Sequence, residues 1–244
     1  MKYRVRHVTE YMYSEAVTTS HHELHLLPRA TPGQTVADES LTISPDPALR
    51  RDRLDWFGNP ATHLAIHSRH TRLAVTSTFV VDVDRAPVPD DAGTWEAARE
   101  LMHRIHTEFT YDTVATDVAT SVDEVLRGRR GVCQDFAHVM LACLRAFGLA
   151  ARYVSGYLVT NHTPDESSLI GADASHAWAS VRLPGGAWLD LDPTNDVIPT
   201  DRHIAIAYGR DFGDVTPMRG VLLGGGRHEL IVGVDVSPVD SNDG

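Results

Sequence analysis

The chain has 244 residues, 42% hydrophobic and 23% charged, which is the balance of a folded globular protein and excludes general disorder. With 22 basic and 33 acidic residues its formal net charge is −11, a bulk field that repels a phosphate backbone, so nucleic acid is not an expected partner. No apolar run approaches the ~20 residues that a membrane-crossing helix requires, so no membrane partner is expected either. The start, Met1 to His7, has early charge and no apolar run behind it. It does not read as a signal peptide, and the expectation is a soluble cytoplasmic protein.

Residues 1–85 read as β-structure. Leu73, Val75, Ser77, Phe79, Val81 and Val83 alternate in a largely β-branched and aromatic run, the pattern of a half-buried strand. Further strands are expected at Tyr3 to Val8, Leu41 to Ile43 and Ala61 to His67, separated by turn signals at Pro45-Asp46-Pro47 and Phe57-Gly58-Asn59-Pro60. Short strands at this spacing suggest a sandwich-like or barrel-like module. Residues 86–94, opening Ala86-Pro87-Val88-Pro89, are rich in turn formers and read as a linker.

The second part, 95–244, mixes helices and strands, so the fold class is α+β. Thr94 suits the N-cap of a helix running to about Glu108, and Ser121 with Glu124 forms a capping-box pair opening a short helix. A third helix starts near Gly131-Val132-Cys133 and carries Phe136, Val139, Met140, Cys143 and Phe147 at helical spacing, with Gly148 as its terminal glycine. Strands are expected at Ala151 to Val159, His176 to Leu183 and Ala187 to Asp192. A last β-pattern runs from Leu230 to Val236, and these C-terminal strands are grouped with the second part.

Cys133 and Cys143 are the only cysteines. Ten positions in one helix separate them by about 15 Å at ~1.5 Å per residue, beyond the reach of a disulfide. Cys143 lies on the apolar stripe, where a small buried hydrophobe suffices. Cys133 sits at the helix N-terminus, where unpaired amides favour a thiolate and could hold a developing oxyanion. Asp135 opposes this by placing a negative charge at the same helix end.

The segment from Ser175 to Thr194 reads as a hairpin turning at Pro184-Gly185-Gly186. His176, Trp178, Ser180 and Arg182 share one face of the first strand; Trp188, Asp190 and Asp192 share the same face of the second. If Leu183 pairs with Ala187, Asp192 opposes Trp178 and is the diagonal neighbour of His176, within reach of an Asp-to-imidazole hydrogen bond. Asp190 would lie opposite Ser180 and is the rival partner. A thiol nucleophile needs a base to take its proton and a carboxylate to orient that base, and Cys133, His176 and Asp192 supply these types in that order. A polar outer strand face with a solvated histidine is the plain alternative for the hairpin alone.

Three blocks, Gly131-Val132-Cys133-Gln134-Asp135-Phe136-Ala137-His138, Asp173-Ala174-Ser175-His176-Ala177-Trp178 and Trp188-Leu189-Asp190-Leu191-Asp192-Pro193-Thr194, resemble the transglutaminase-like superfamily of papain-type cysteine enzymes. Tyr11-Met12-Tyr13-Ser14, Leu27-Pro28-Arg29 and Asp55-Trp56-Phe57-Gly58-Asn59 are similar to the β-rich N-terminal module of bacterial members. The resemblance implies a papain-like core with a nucleophile helix packed on an antiparallel sheet. It also implies Cys133 as nucleophile, His176 as base, Asp192 as orienter and a thioester intermediate. The Cys133 backbone N–H would be one oxyanion donor; a second donor is not identified. The expected activity is hydrolysis of a peptide, protein or other amide-containing substrate. Amide-forming acyl transfer is the alternative, and a non-catalytic binding module the second alternative. Trp178 and Trp188 could line a substrate groove, or pack against the N-terminal module. No cofactor or calcium dependence is expected. The fourteen histidines offer no recognised metal-ligand spacing, and no metal is expected. His138 lies on the nucleophile helix but turns away from Cys133, and Asn161-His162-Thr163 matches a glycosylation acceptor only formally.

Overall fold

The computed structural model describes residues 1–85, 94–117, 119–159 and 175–239. Its spine is β1 (Lys2–Leu24), a strand of 23 residues. Tyr3, Val5, His7 and Thr9 are buried in alternation along it, the two-residue period of a strand with one face inward. The first half of β1 pairs with β5 (His70–Val83) and β13 (His228–Pro238), and the second half with β4 (Pro60–Ile66) and β12 (Met218–Gly224). The partners change around an irregularity in the β1–β5 register between Met12 and Val17. With β2 (Gln34–Ser44) on β5 and β3 (Leu49–Leu54) on β4 this makes one seven-stranded antiparallel sheet. A cluster including Val17, Leu24, Leu64, Ile66, Leu73 and Val75 forms a core of its own within this module.

The C-terminal strands depart from the sequence grouping. β12 and β13 do not extend the second part; they pair with β1, so Tyr3 lies opposite Pro238 and His22 opposite Gly220. They cover an edge of β1 that would otherwise present a long row of unpaired N–H and C=O groups. Gly224, Gly225 and Gly226, with φ of 93, 85 and 60°, turn the chain between them.

The second sheet has four antiparallel strands in the order β10-β9-β8-β11: β8 (Ala151–Leu158), β9 (His176–Arg182), β10 (Trp188–Leu191) and β11 (His203–Gly209). α3 (Cys133–Ala146) packs on β9 and β8, its Phe136, Ala137, Met140 and Leu144 sharing an apolar cluster with Ala177, Ala179 and Val181. α1 (Thr94–Glu108) adds Ala98, Met102 and Ile105 to this cluster, and α2 (Val122–Gly128) adds Val125. α2 opens with the expected reciprocal cap, in which Ser121 N–H donates to Glu124 at 2.9 Å and Glu124 N–H donates to the Ser121 hydroxyl at 3.4 Å. The parallel pair β6 (Thr110–Tyr111) and β7 (Arg130–Gly131) leads the chain into α3, and the short α4 (Phe212–Val215) follows β11.

The same cluster continues through Tyr3, Val5, Phe79 and Val81 of the first sheet, so the two parts are joined by one core. Tyr157 of β8 and His7 of β1 are hydrogen-bonded across the junction at 2.8 Å. Linker residues 86–93 and the Asn161-His162-Thr163 sequence lie outside the described residues. No helix among the described residues is long and apolar enough to cross a membrane.

Candidate active site

The hairpin adopts the register expected from its alternation, with Trp188 opposite Arg182, Asp190 opposite Ser180 and Leu191 opposite Ala179. Asp192 follows β10 directly and closes a bridge with Val197, donating its N–H to the Val197 carbonyl at 3.0 Å. Its side chain is thereby brought to His176, whose Nε2 lies 2.9 Å from Asp192 Oδ2, both side chains being wholly buried. Asp190 is not available for this role. It is held by the Arg85 guanidinium at 2.6 Å.

Asp192 is a buried carboxylate with every acceptor position engaged. Oδ2 also accepts from His203 Nε2 at 3.0 Å and Asn195 Nδ2 at 2.8 Å, while Oδ1 accepts from the Thr194 and Asn195 amides at 3.0 and 3.3 Å. Burial alone would raise its pKa, but the His176 charge and the hydrogen bonds prevail and hold the carboxyl well below the usual carboxylate range. The two imidazoles on it divide. Burial works to lower His176, yet the charge of Asp192, with the thiol of Cys133 adding to it, keeps that ring well above its ordinary value. His203 goes the other way, because burial outweighs its bond to Asp192 and the ring is held neutral. The two imidazoles on one carboxylate are thus pushed in opposite directions.

Cys133 is the first residue of α3, partly buried and free, as is Cys143. With Nε2 committed to Asp192, the His176 nitrogen left for the thiol is Nδ1, which makes no hydrogen bond among the described residues. The local backbone explains why the thiol sits here. Asp135 accepts from the Val132 amide at 2.8 Å and the Thr116 hydroxyl at 2.6 Å, folding its charge back ahead of the helix. The amides of Cys133 and Gln134 are first-turn donors without intrahelical acceptors. Gly131 permits the arrangement, since a Cβ there would stand 2.5 Å from Asp135 Oδ2. Tyr111 and Tyr153 are near enough to Cys133 for a thiolate to raise their hydroxyl pKa values, with burial the larger cause for both. His138 turns to α4, where its Nε2 accepts the Phe212 amide at 3.2 Å.

Trp178 requires a correction. It is 0% exposed, so it cannot line a groove open to solvent. Its indole lies over Gly156, where a Cβ would meet it at 2.3 Å, and its ring centroid is 6.1 Å from that of His176 and 5.3 Å from that of His203. It is a dry floor beneath the two imidazoles. Trp188 is 40% exposed and borders a cavity together with Asp190, Arg152 and Arg85. Neither His203 nor Asn195 belongs to a motif in the sequence that marks it as part of the site. The apolar run after His203 was the available sign of a strand there, but nothing local ties it to Asp192, eleven residues earlier.

His176, Asp192 and His203 are the only group of potential metal donors brought together among the described residues. Both Nε2 atoms point at one carboxylate oxygen at hydrogen-bond distance, so donated protons account for the convergence. His21 and His63 approach only to 5.9 Å between ring centroids and form no comparable donor set.

Residues 3–82 match the bacterial transglutaminase-like N-terminal region, and residues 83–193 match the transglutaminase-like superfamily. An uncharacterised protein of Mycobacterium tuberculosis is 38% identical over 99% of this chain and 94% of its own length. One from Mycobacterium leprae is 31% identical over 96% of this chain and 98% of its own. A protein-glutamine gamma-glutamyltransferase of Pseudomonas aeruginosa is 33% identical over 41% of this chain and 15% of its own length. Among solved structures, a Cytophaga hutchinsonii protein proposed to be a cysteine protease superposes with a TM-score of 0.78 at 21% identity, over 99% of this chain and 92% of that one. That likeness is one of fold.

Proposed function

We propose that this chain, which belongs to the transglutaminase-like superfamily, cleaves peptide or other amide bonds through a thioester on Cys133. The observation that carries the reading is the buried 2.9 Å bond between His176 and Asp192 beside a cysteine that opens a helix. His176 takes the thiol proton, and the sulfur attacks the amide carbonyl carbon. The Cys133 amide, aimed along the first turn of α3, stabilises the oxyanion. The tetrahedral intermediate collapses as the imidazolium returns its proton to the leaving amine, leaving an acyl-thioester. Water, deprotonated by His176, attacks the thioester and releases the acid, and the thiol recovers its proton. Asp192 keeps the His176 ring oriented and stabilises its positive form throughout; His203 and Asn195 hold Asp192 in place as positioning residues.

An amine in place of water gives an amide instead of an acid. The Pseudomonas relative named as a glutamyltransferase supports this second reading over the segment it shares. Water is the acceptor always present, and hydrolysis is therefore the first reading. Mass spectrometry of peptide mixtures incubated with and without a primary amine separates the two. Cleaved or deamidated products, absent with Cys133→Ala, are expected. Products heavier by the amine and lighter by ammonia as the dominant species overturn hydrolysis in favour of transfer.

A further inference from the structure

On the sheet face that carries Trp178, β8, β10 and β11 border a cavity of about 500 Å³ that the proposed chemistry does not use. Three arginines line it, against one carboxylate, Asp190. This is a concentration of positive charge in a chain whose formal net charge is −11. Arg85 is committed to Asp190 at 2.6 Å and to the His203 carbonyl at 3.2 Å. Arg29 donates to the Phe57 carbonyl at 3.0 Å and to Asn59 Oδ1 at 2.7 Å, with Asp55 offsetting part of its charge from outside the cavity. Arg152 has neither an ion pair nor a hydrogen bond among the described residues.

Arg152 is instead held by aromatic faces. Its guanidinium carbon lies 4.0 Å from the Trp188 ring centroid and 3.7 Å from that of Tyr208, whose ring also receives Arg29 at 4.4 Å. Stacking satisfies the faces of a guanidinium and leaves its in-plane N–H donors free, and that edge matches the two oxygens of a carboxylate or phosphate. Asp190, itself held by Arg85, offsets part of the Arg152 charge without pairing with it directly. A largely desolvated guanidinium lacking a direct ion pair is costly, and an anion supplied from solution lowers that cost. Trp188, Ile198 and Pro199 provide an apolar wall beside it.

We propose that this cavity is a binding site for a small organic anion, whose carboxylate or phosphate meets the edge of Arg152 and whose apolar body lies along Trp188 and Pro199. The site is separate from the thioester chemistry, and it is tested in the Cys133→Ala protein as well as in the wild type so that the two readings stand or fall apart. Benzoate, phenyl phosphate and inorganic phosphate are titrated calorimetrically at fixed ionic strength. Saturable binding of at least one aryl anion is expected in both backgrounds, weakened roughly tenfold or more by Arg152→Gln, as loss of a charge-assisted bidentate contact requires. Trp188→Ala is expected to weaken the aryl anions several-fold and to leave inorganic phosphate unchanged. Tighter binding of phenyl phosphate than benzoate assigns the phosphate as the recognised group, and the reverse order assigns the carboxylate. Absence of saturation up to roughly 10 mM, a concentration that detects even millimolar affinity, overturns the proposal. So does equal affinity in wild type and Arg152→Gln. Should Arg152→Gln fail to fold, the half-exposed Trp188 decides, and aryl-anion affinity unchanged by Trp188→Ala overturns the site.

Discussion

Replacing Asp192 by Asn keeps the shape of the side chain and removes its charge. In the native protein the two oxygens accept from His176, His203, the Asn195 side chain and the Thr194 and Asn195 amides. An asparagine has one acceptor oxygen, so its amide nitrogen must face either the two imidazoles or the two backbone amides, donor against donor, in a site with no solvent access. Breaking a buried charged pair costs roughly 3–5 kcal/mol. At about 2–4 °C per kcal/mol for a chain of this size, the melting temperature should fall by roughly 6–20 °C. The chemical effect has a definite sign. Burial works to lower His176, and the Asp192 charge is the first of the influences opposing it. Without that charge the ring gives up its proton at lower pH and no longer supports a thiolate in acid solution. Iodoacetamide labelling from pH 4 to pH 9, located by peptide mapping, reads this directly. Cys143, whose thiol burial pushes up, serves as the internal reference in every sample. Below pH 7 wild-type Cys133 should label faster than Cys143, and Asp192→Asn should lose that advantage. An unchanged Cys133 profile in a folded Asp192→Asn protein would refute the coupling of Cys133, His176 and Asp192.

Removal of His203 by substitution with Ala deletes one of the three donors to Asp192 Oδ2 but leaves His176 in place. The expected loss is roughly 1–3 kcal/mol by thermal melting, with acid-range labelling of Cys133 retained in part. Gly131→Ala drives a Cβ to within 2.5 Å of Asp135 Oδ2 and should both lower stability by about 1–3 kcal/mol and slow Cys133 labelling, because the start of α3 has to shift. Ser121→Ala, at the capped end of α2, should cost about 1 kcal/mol in chemical denaturation and leave the labelling profile unaltered. His7 concerns pH. Burial lowers its pKa from 6.5 to about 4, with one ring nitrogen engaging Tyr157 and the other Thr9. The unfolded chain therefore binds the extra proton first, so stability is full above pH 6.5 and declines as pH falls toward 4. The contribution is up to roughly 3 kcal/mol at ~1.36 kcal/mol per unit. Melting temperatures across that range should decline less steeply in His7→Gln; parallel curves would remove His7 as a source of the acid sensitivity.

How much of this molecule could be read in advance depends on the distance over which each feature is decided. The Pro184-Gly185-Gly186 turn and the two-residue alternation on either side settle the β9–β10 register within about twenty residues, and that register carries Asp192 to His176. The start of α3 at Cys133 and the reciprocal cap on α2 are likewise local, governed by backbone donors and side chains three residues apart. Residues far apart in the chain behaved differently. Alternation identifies β13 as a strand but not its neighbour, and only the folded chain pairs Pro238 with Tyr3. Nothing near His203 announces that it will share Asp192 with His176, and the polar pattern of β9 gives no sign that Trp178 on its outward face is buried, packed with Val154, Ala205 and Tyr208. Chain sequence determined the strands, the helix ends and the spacing of cysteine, histidine and aspartate, because short-range sterics and hydrogen bonding act on neighbours. Tertiary structure decided which sheet each strand joins, which way each histidine on Asp192 is pushed and that Arg152 is held between aromatic faces, because burial and electrostatics depend on everything that packs around a group.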